Sequence, residues 1–365
     1  MTDNTIDNKA DVVVIGAGQS GLTAARTLAT RGLAPVVLEA GPEPVGSWPR
    51  YYDSLTLFSP AEYSGMPGLD FPGEPGRYPH RDEVIDYLRR YAAGVDADIR
   101  TDTPVTAVAA HDEGGFVVHA ASGQTIHTAG VVAATGSFGN PHVPVLPGQD
   151  GFAGRVLHVA DYRNPKQHVG ERIVVVGAGN SAVQVGYELA EVATVTLATH
   201  QPVAFLRQRR DGQDVHHWLV TTGFDQLPPE WLIRYVGGTL VMDTGDYQAA
   251  LETGRMDRRP MFTAFHPKGV VWADGTRERV DTVLFATGYR PHLDYLAPLG
   301  ALDDAGLPLH SGGISATHPG LVYVGLEFQR SFSSNTLRGV HRDAGHVIPA
   351  LAAHVRNAPA AVVGQ

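Results

Sequence analysis

Residues 11–21 read Asp-Val-Val-Val-Ile-Gly-Ala-Gly-Gln-Ser-Gly, a short apolar run followed by three glycines. Such a run predicts a buried parallel strand, and the apolar residues behind the glycines repeat at helical spacing. The first glycine permits a tight turn, the second lets a pyrophosphate approach the helix N-terminus, and the third lets the helix pack closely on the strand. The predicted contacts with a dinucleotide are Gly16, Gly18, Gln19, Ser20 and Gly21.

A carboxylate ends the next predicted strand. Residues 34–38 are Ala-Pro-Val-Val-Leu, and Glu39 follows them, 23 residues after Gly16. A carboxylate at this position can accept hydrogen bonds from a ribose diol and repels a 2′-phosphate. Strand, glycine turn, helix, strand and terminal acid together are more specific than the glycines alone. They predict that the first site holds an adenosine diphosphate moiety.

The same pattern recurs about 160 residues later. The run Arg172-Ile-Val-Val-Val leads into Gly177-Ala-Gly-Asn-Ser-Ala, with alanine in the third glycine position, which the pattern allows. The following strand ends at Thr199 and His200, 22 and 23 residues after Gly177, and no acid stands there. The predicted contacts are Gly177, Gly179, Asn180, Ser181, Thr199 and His200.

Two complete patterns in one chain imply two dinucleotides. A dehydrogenase with a single nicotinamide site needs only one such fold. A chain with two, of which only the first ends in a carboxylate, indicates tightly held FAD together with exchangeable NADPH or NADH. The redox chemistry is then assigned to the flavin, and the sequence identifies no catalytic side chain.

Between the two patterns, residues 152–163 fit F-x-G-x-x-x-H-x-x-x-Y-[KR]. At this point the sequence resembles the flavin-containing monooxygenases, the flavoproteins that include the Baeyer-Villiger enzymes. Gly46-Ser-Trp48 resembles the G-x-W segment of that family. Residues 134–136 and 285–289, Ala-Thr-Gly and Phe-Ala-Thr-Gly-Tyr, resemble the paired crossings between its two domains. The resemblance spans about residues 10 to 345.

The resemblance implies an α/β fold with two Rossmann-like three-layer nucleotide-binding domains, the second inserted in the first. Residues 1–160 and 286–365 would bind FAD, and residues 161–285 would bind NAD(P). An aromatic-rich insertion at 201–267 would either wall the cleft over the flavin or pack as its own subdomain. The resemblance adds Gly46, Trp48, Phe58, Thr135, Gly136, Asn335 and Thr336 to the FAD contacts, and His158, Tyr162, Thr287 and Gly288 to the NAD(P) contacts.

Two of these residues carry more specific expectations. His158 would orient a bound nicotinamide, with a buried structural histidine as the alternative. Asn335 lies in a segment, 333–339, that could cap a final helix aimed at the flavin.

The sequence also departs from the family. Phe58 stands where an asparagine usually lies beside the flavin, and loss of that amide should cost about 1 to 3 kcal/mol of stabilisation for an oxygenated flavin. The arginine that usually grips the 2′-phosphate is missing. Arg207, Arg209 and Arg210 lie close enough in sequence to help, or they form a solvated face. We therefore expect relaxed choice between NADH and NADPH.

The predicted activity is that of an FAD-dependent monooxygenase. NAD(P)H would reduce the flavin, dioxygen would add at C4a, and the resulting (hydro)peroxyflavin would oxygenate a sulfide, amine or ketone. An NAD(P)H oxidase or dehydrogenase without substrate oxygenation is the alternative. A flavin-binding redox sensor is a third class.

Composition narrows the remaining possibilities. The 365 residues are 43% hydrophobic and carry a formal net charge of −10, so we expect a globular protein with no nucleic-acid or membrane partner. Cysteine is absent, which excludes disulfides, thiolate metal sites and dithiol relays. The histidines are poorly spaced for a chelate, and no metal is expected.

The polar N-terminal residues and the lack of a long apolar run favour a cytoplasmic location. The expected partners are a small-molecule substrate and dioxygen, and the oligomeric state stays open, a homodimer included.

Overall fold

The computed structural model describes residues 9–235 and 240–358. Its first part contains β1 (Lys9–Ile15), α1 (Gln19–Ala29), β2 (Pro35–Leu38), α2 (Arg81–Ala93), β3 (Asp98–Arg100), β4 (Val105–Ala110), β5 (Phe116–Ala120) and β6 (Thr125–Ala133). Its middle part contains β7 (Arg155–His158), β8 (Arg172–Val176), α3 (Asn180–Leu189), β9 (Thr194–Thr199), β10 (Ala204–Arg207), β11 (Arg209–Arg210), β12 (Gln213–Asp214), α4 (Val215–Thr221), α5 (Pro229–Tyr235), β13 (Leu240–Asp243), α6 (Asp246–Glu252), β14 (Asp257–Pro260), β15 (Ala264–His266), β16 (Gly269–Val271), β17 (Arg277–Arg279) and β18 (Thr282–Phe285). Its last part contains β19 (His310–Ser311), β20 (Ile314–Ser315), β21 (Leu321–Tyr323) and α7 (Val340–Asn357).

The first sheet has nine strands, in the order β19-β20-β21-β6-β1-β2-β3, with β4 and β5 added as an antiparallel extension of β6. Its central strands are parallel, and β1 pairs with both β2 and β6. Side chains of β1 alternate between two cores. Val12 and Val14 pack towards α1, α2 and α7, whereas Val13 and Ile15 pack on the opposite face. This covering of both faces explains why residues 12–15 of β1 are all apolar.

The second sheet has five parallel strands in the order β14-β9-β8-β18-β7. Val175 packs on α3, and Val174 and Val176 pack on the other face. There they meet a group of large side chains that includes Phe262 and Phe265. Those two aromatic residues of the predicted insertion therefore belong to the core beneath the second sheet and do not wall a cleft.

The strands of the first sheet come from both sides of the second sheet in the sequence. This confirms the α/β class with two Rossmann-like layered units, the second inserted in the first. Strand β7 pairs with β18 in the second sheet, so that sheet begins before the predicted boundary at residue 160. Within the ranges described above, no helix combines the length and apolar character needed to cross a membrane.

Candidate active site

The first glycine pattern forms a close-packed turn between β1 and α1. Gly16 has a φ of +98°, and a Cβ added there would lie 2.7 Å from the Ala134 carbonyl oxygen. A Cβ at Gly21 would lie 1.8 Å from the Gly16 carbonyl oxygen, so only glycine fits. Helix α1 begins after Gly18 with no side-chain cap and no acidic residue in its first turn. This helix end fits a diphosphate, because unpaired N–H groups and the helix dipole favour an anion.

Glu39 lies where β2 ends, beside the glycine turn. Its Oε2 accepts a hydrogen bond from the Ala17 N–H at 2.7 Å, and its Oε1 accepts one from the Gly41 N–H at 2.8 Å. The side chain is buried. Each carboxylate oxygen keeps a further lone pair, so the position fits a ribose diol.

A loop crosses the first turn and is tied to it by Gln19. The Trp48 Nε1–H donates to Gln19 Oε1 at 3.0 Å, and the Gln19 amide donates to the Asn335 carbonyl at 3.3 Å. A Cβ at Gly46 would lie 2.7 Å from the Cα of Gly18. The structure therefore brings these predicted FAD contacts together, although their sequence positions differ by up to 316 residues.

Ser20 is packed just as tightly on the other side of α1. It is buried, and a Cβ at Gly325 would lie 2.0 Å from its hydroxyl oxygen. The chain after β21 therefore passes directly against the first turn of α1.

The second glycine pattern forms the matching turn between β8 and α3. A Cβ at Gly177 would lie 2.5 Å from the Ala286 carbonyl oxygen, and α3 begins after Gly179 with no side-chain cap and no acid in its first turn. This helix end also fits a diphosphate. The Asn180 side chain is engaged elsewhere, since it accepts from the Met242 N–H at 3.0 Å and donates to the Leu240 carbonyl at 3.3 Å.

The two Ala-Thr-Gly crossings run beside each other. Each one passes against the first glycine of its own sheet, at the Ala134 and Ala286 contacts described above. The Thr135 hydroxyl donates to the His292 carbonyl at 2.5 Å, and the Thr287 hydroxyl donates to the His142 carbonyl. The Gly136 carbonyl accepts from the His292 N–H, and the Gly288 carbonyl accepts from the His142 N–H. The two linkers are thus bound to each other, which fixes one sheet against the other.

His158 and Tyr162 hold this junction. The His158 Nδ1 accepts from the Ala160 N–H at 3.1 Å, so Nε2 carries the proton and faces the Gly288 carbonyl at 3.1 Å. Burial lowers the pKa of His158, which favours this neutral form. The Tyr162 hydroxyl donates to Glu188 of α3 at 2.8 Å. Both ring nitrogens of His158 are occupied by backbone, so this histidine positions Gly288, and its role in orienting a nicotinamide stays a prediction.

A cavity of about 280 Å³ lies between the loop that follows β2 and the start of α3. It is lined from both sides, by Ser47, Arg50, Tyr51 and Phe138 and by Ser181 and Tyr289. The ring of Phe138 lies 4.6 Å from that of Tyr51 and 4.5 Å from that of Tyr289. Burial raises the pKa of Tyr289 to about 12 and that of Tyr51 well above its ordinary value, so both phenols are protonated at neutral pH. The cavity combines aromatic rings and hydroxyl donors with the charged residues Arg50, Asp161 and Arg163.

Phe58 lies next to a buried pair of residues that the sequence did not reveal. Its ring is 39% exposed and stacks against His216 at 6.1 Å. His216 is fully buried, its Nδ1 is 2.7 Å from Asp214 Oδ1, and its Nε2 has no hydrogen-bond partner within the described part of the chain. Tyr63 stacks on the same ring. This pair could not be identified from the sequence, because the partners of His216 from the 58–63 loop are distant in the chain.

The segment before α7 supplies the N-cap of that helix through its last residue, Gly339. Helix α7 begins at Val340, its N-cap is Gly339, the last residue of the predicted segment 333–339, and no side chain caps it. The Thr336 hydroxyl instead donates to the Ser333 carbonyl at 2.7 Å. Gly339 packs directly against Ser333, where a Cβ would lie 2.1 Å from the Ser333 carbonyl oxygen. The residues before the helix therefore form a separate tight turn.

The end of β9 carries a cation that comes from a distant part of the sequence. Thr199 is buried, and its Oγ1 accepts from the Nε–H of Arg258 at 2.8 Å, whereas His200 is exposed. Arg258 is 59 residues away in the sequence and reaches Thr199 because β14 pairs with β9. The expected helpers Arg207, Arg209 and Arg210 are exposed.

The Asp214–His216 pair predicts a specific pH dependence of stability. Burial alone would raise the pKa of Asp214, but hydrogen bonds from His216, Tyr78 and Gln208 outweigh it and hold that pKa at about 2. Burial lowers the pKa of His216 despite its bond with Asp214. A histidine with a lowered folded pKa resists protonation when folded, so its burial destabilises the protein as pH falls below about 6.5.

We therefore expect the unfolding free energy of His216→Gln to decrease less between pH 7 and pH 5 than that of the wild type. The slope of the unfolding free energy against pH can change by at most the equivalent of one bound proton, about 1.4 kcal/mol per pH unit. Urea unfolding at several pH values measures it. His217→Gln, at a partly exposed neighbour, is the matched control. Equal slopes for wild type and His216→Gln would contradict the assignment.

Comparison with known proteins agrees with this arrangement. Residues 13–222, more than half of the chain, match the family described as pyridine nucleotide-disulphide oxidoreductase. The structure resembles a flavin-containing monooxygenase from Stenotrophomonas maltophilia with a TM-score of 0.83 and 32% identity, covering 95% of this chain and 99% of that one. The rice indole-3-pyruvate monooxygenase YUCCA1 is 30% identical over 77% of each chain.

A more distant likeness concerns the fold alone. Cyclohexanone monooxygenase matches with a TM-score of 0.65 and 19% identity, covering 87% of this chain and 82% of that one. Disulphide chemistry by the chain's own thiols is excluded, because the sequence contains no cysteine. The chain belongs to the pyridine nucleotide-disulphide oxidoreductase family and, within it, to the flavin-dependent monooxygenases.

Proposed function

We propose that this flavin-dependent monooxygenase transfers one oxygen atom from dioxygen to a small organic sulfide, amine or ketone, with FAD in the first glycine turn and NAD(P)H in the second. The observation that carries the proposal is the cavity lined by Tyr51 of the loop after β2 on one side and by Ser181 at the start of α3 and Tyr289 on the other. Two dinucleotides bound at the two helix ends would meet in this cleft. FAD held there supplies two-electron exchange with the nicotinamide and activation of dioxygen.

The residues of the chain would bind and orient the dinucleotides. Glu39 would accept the ribose hydroxyls of FAD, and the N-terminus of α1 would hold its diphosphate. Gln19 would keep Trp48 over this turn. His158 would hold the Gly288 crossing in place beside the cavity.

The aromatic lining would also exclude water from the reaction. The ring of Phe138 contacts those of Tyr51 and Tyr289, and the two tyrosine hydroxyls stay protonated at neutral pH. Exclusion of water matters because oxygen activated in an open site is released as hydrogen peroxide.

The proposal includes a cytoplasmic location, where NADPH and NADH are supplied, and leaves open whether the protein is a homodimer.

The test measures where the oxygen goes. Purified protein supplied with FAD and NADPH is incubated with ¹⁸O₂ and a panel of sulfides, amines and ketones, while NADPH, oxygen and hydrogen peroxide are followed together. We expect at least one substrate class to gain a single ¹⁸O atom and to lower the peroxide yield. Recovery of all consumed oxygen as peroxide with every class would reject oxygenation in favour of an NAD(P)H oxidase.

A further inference from the structure

The register of the two sheets identifies the position in the second site that corresponds to Glu39. In the first sheet Ile15 pairs with Leu38, and Glu39 is the next residue. In the second sheet Val176 pairs with Ala198, and Thr199 is the next residue. The Gly16 N–H donates to the Leu38 carbonyl, and the Gly177 N–H donates to the Ala198 carbonyl in the same way. Thr199 therefore occupies the place of the ribose-binding carboxylate.

Arg258 brings a positive charge to that place. Its Nε–H donates to Thr199 Oγ1 at 2.8 Å, and the side chain is half-buried. No carboxylate among the described residues lies within ion-pair distance of it. The adjacent Arg259 differs, because it lies over the Trp272 ring and pairs with Asp274 at 3.2 Å. The terminal nitrogens of Arg258 thus remain available to an anion.

The two sites then differ in charge at the same point. A carboxylate at the strand end accepts bonds from a ribose diol and repels a 2′-phosphate, whereas a guanidinium binds a phosphate through two parallel N–H bonds. Thr199 fixes the guanidinium through Nε and leaves its outer edge free, which reduces the rotamer entropy lost when a phosphate binds.

We propose that Arg258 is the 2′-phosphate ligand of the second site and gives this chain a preference for NADPH over NADH. The proposal replaces the relaxed choice expected from the sequence, where no arginine was found directly after the second strand. It rests on the proposed function only in that the second site takes a nicotinamide dinucleotide.

Calorimetry with two small probes tests the proposal without turnover. For the FAD-loaded wild type we expect 2′,5′-ADP to bind about 10- to 100-fold more tightly than 5′-AMP. In Arg258→Gln this advantage should disappear while 5′-AMP affinity is unchanged. Arg279→Gln, at an arginine whose side chain is 82% exposed on the same domain, should behave as wild type. The visible flavin spectrum reports that each variant is folded.

Two further variants sharpen the result. Thr199→Val removes the acceptor that orients Arg258 and should reduce the 2′,5′-ADP advantage in part. Arg207→Gln tests the rival ligand suggested by the sequence. The proposal is overturned if Arg258→Gln keeps the advantage, if Arg207→Gln loses it, or if the wild type binds both probes equally. Failure of the wild type to bind either probe would overturn the dinucleotide site as well.

Discussion

Gly21→Ala should yield a protein that purifies without bound FAD. The added Cβ would lie 1.8 Å from the Gly16 carbonyl oxygen and 3.3 Å from a Val14 methyl group. The nearer atom belongs to the backbone of the turn, so the contact can be relieved only by opening the junction of β1 and α1. We expect a cost of about 3 kcal/mol, equivalent to about a 100-fold loss of FAD affinity. The ratio of flavin to protein absorbance after purification, and after titration with FAD, measures it.

Gly345→Ala is the matched control for this substitution. Gly345 lies within α7, and an added Cβ would meet nothing within 4 Å. Alanine is the better helix former by about 1 kcal/mol, so this variant should keep its FAD and gain slightly in stability. A Gly21→Ala protein that binds FAD as tightly as Gly345→Ala would show that the first glycine turn is not the flavin site.

Asp225→Asn should cause the largest loss of stability among the charged substitutions considered. Asp225 is fully buried, and it accepts from Arg338 Nη2 at 2.7 Å and from Arg342 Nη1 at 3.1 Å. Removing its charge leaves the guanidinium of Arg338, which is only 8% exposed, without a counter-ion in the interior. Breaking one partner of such a buried pair costs about 3 to 5 kcal/mol. Urea unfolding of the FAD-loaded protein measures the change in unfolding free energy.

A surface aspartate provides the comparison. Asp211 is 75% exposed and lies 3.5 Å from Arg210, so Asp211→Asn should change the unfolding free energy by less than about 1 kcal/mol. If Asp225→Asn also changed the unfolding free energy by less than about 1 kcal/mol, a structural role for the buried cluster of Asp225, Arg338 and Arg342 would be contradicted. The cluster also links the chain around Phe224 to the C-terminal segment that contains Asn335, so Asp225→Asn should weaken FAD retention too.

The fold could be predicted because its evidence is local in the sequence. Each glycine turn, with the apolar strand before it and the helix after it, lies within about 20 residues, and its packing depends on those residues themselves. The strand-end position of Glu39 follows from the same short unit. The Ala-Thr-Gly crossings were recognised only by resemblance, and the structure supplies their physical reason. Each crossing passes so close to Gly16 or Gly177 that a side chain there would collide with its backbone.

Other parts of the site could not be predicted because they depend on distant pairings. Arg258 acts at Thr199 only through the pairing of β14 with β9, and nothing in its own surroundings in the sequence marks it. Asp214 and His216 are near neighbours, but the rings that enclose the histidine come from Phe58 and Tyr63. The form of the α7 cap could not be predicted, because the Thr336 hydroxyl bonds within the turn at residues 333–339 and the N-cap is Gly339.

Because the loop after β2 and the start of α3 line one cavity, a nicotinamide bound at the second site should reduce a flavin bound at the first directly. Titration of the FAD-loaded protein with NADPH in the absence of oxygen, followed in the visible flavin bands, examines this step alone. We predict that about one equivalent of NADPH per FAD bleaches the flavin and that admitted air restores its colour. A flavin that stays fully oxidised under excess NADPH and excess NADH would contradict the joint use of the two sites.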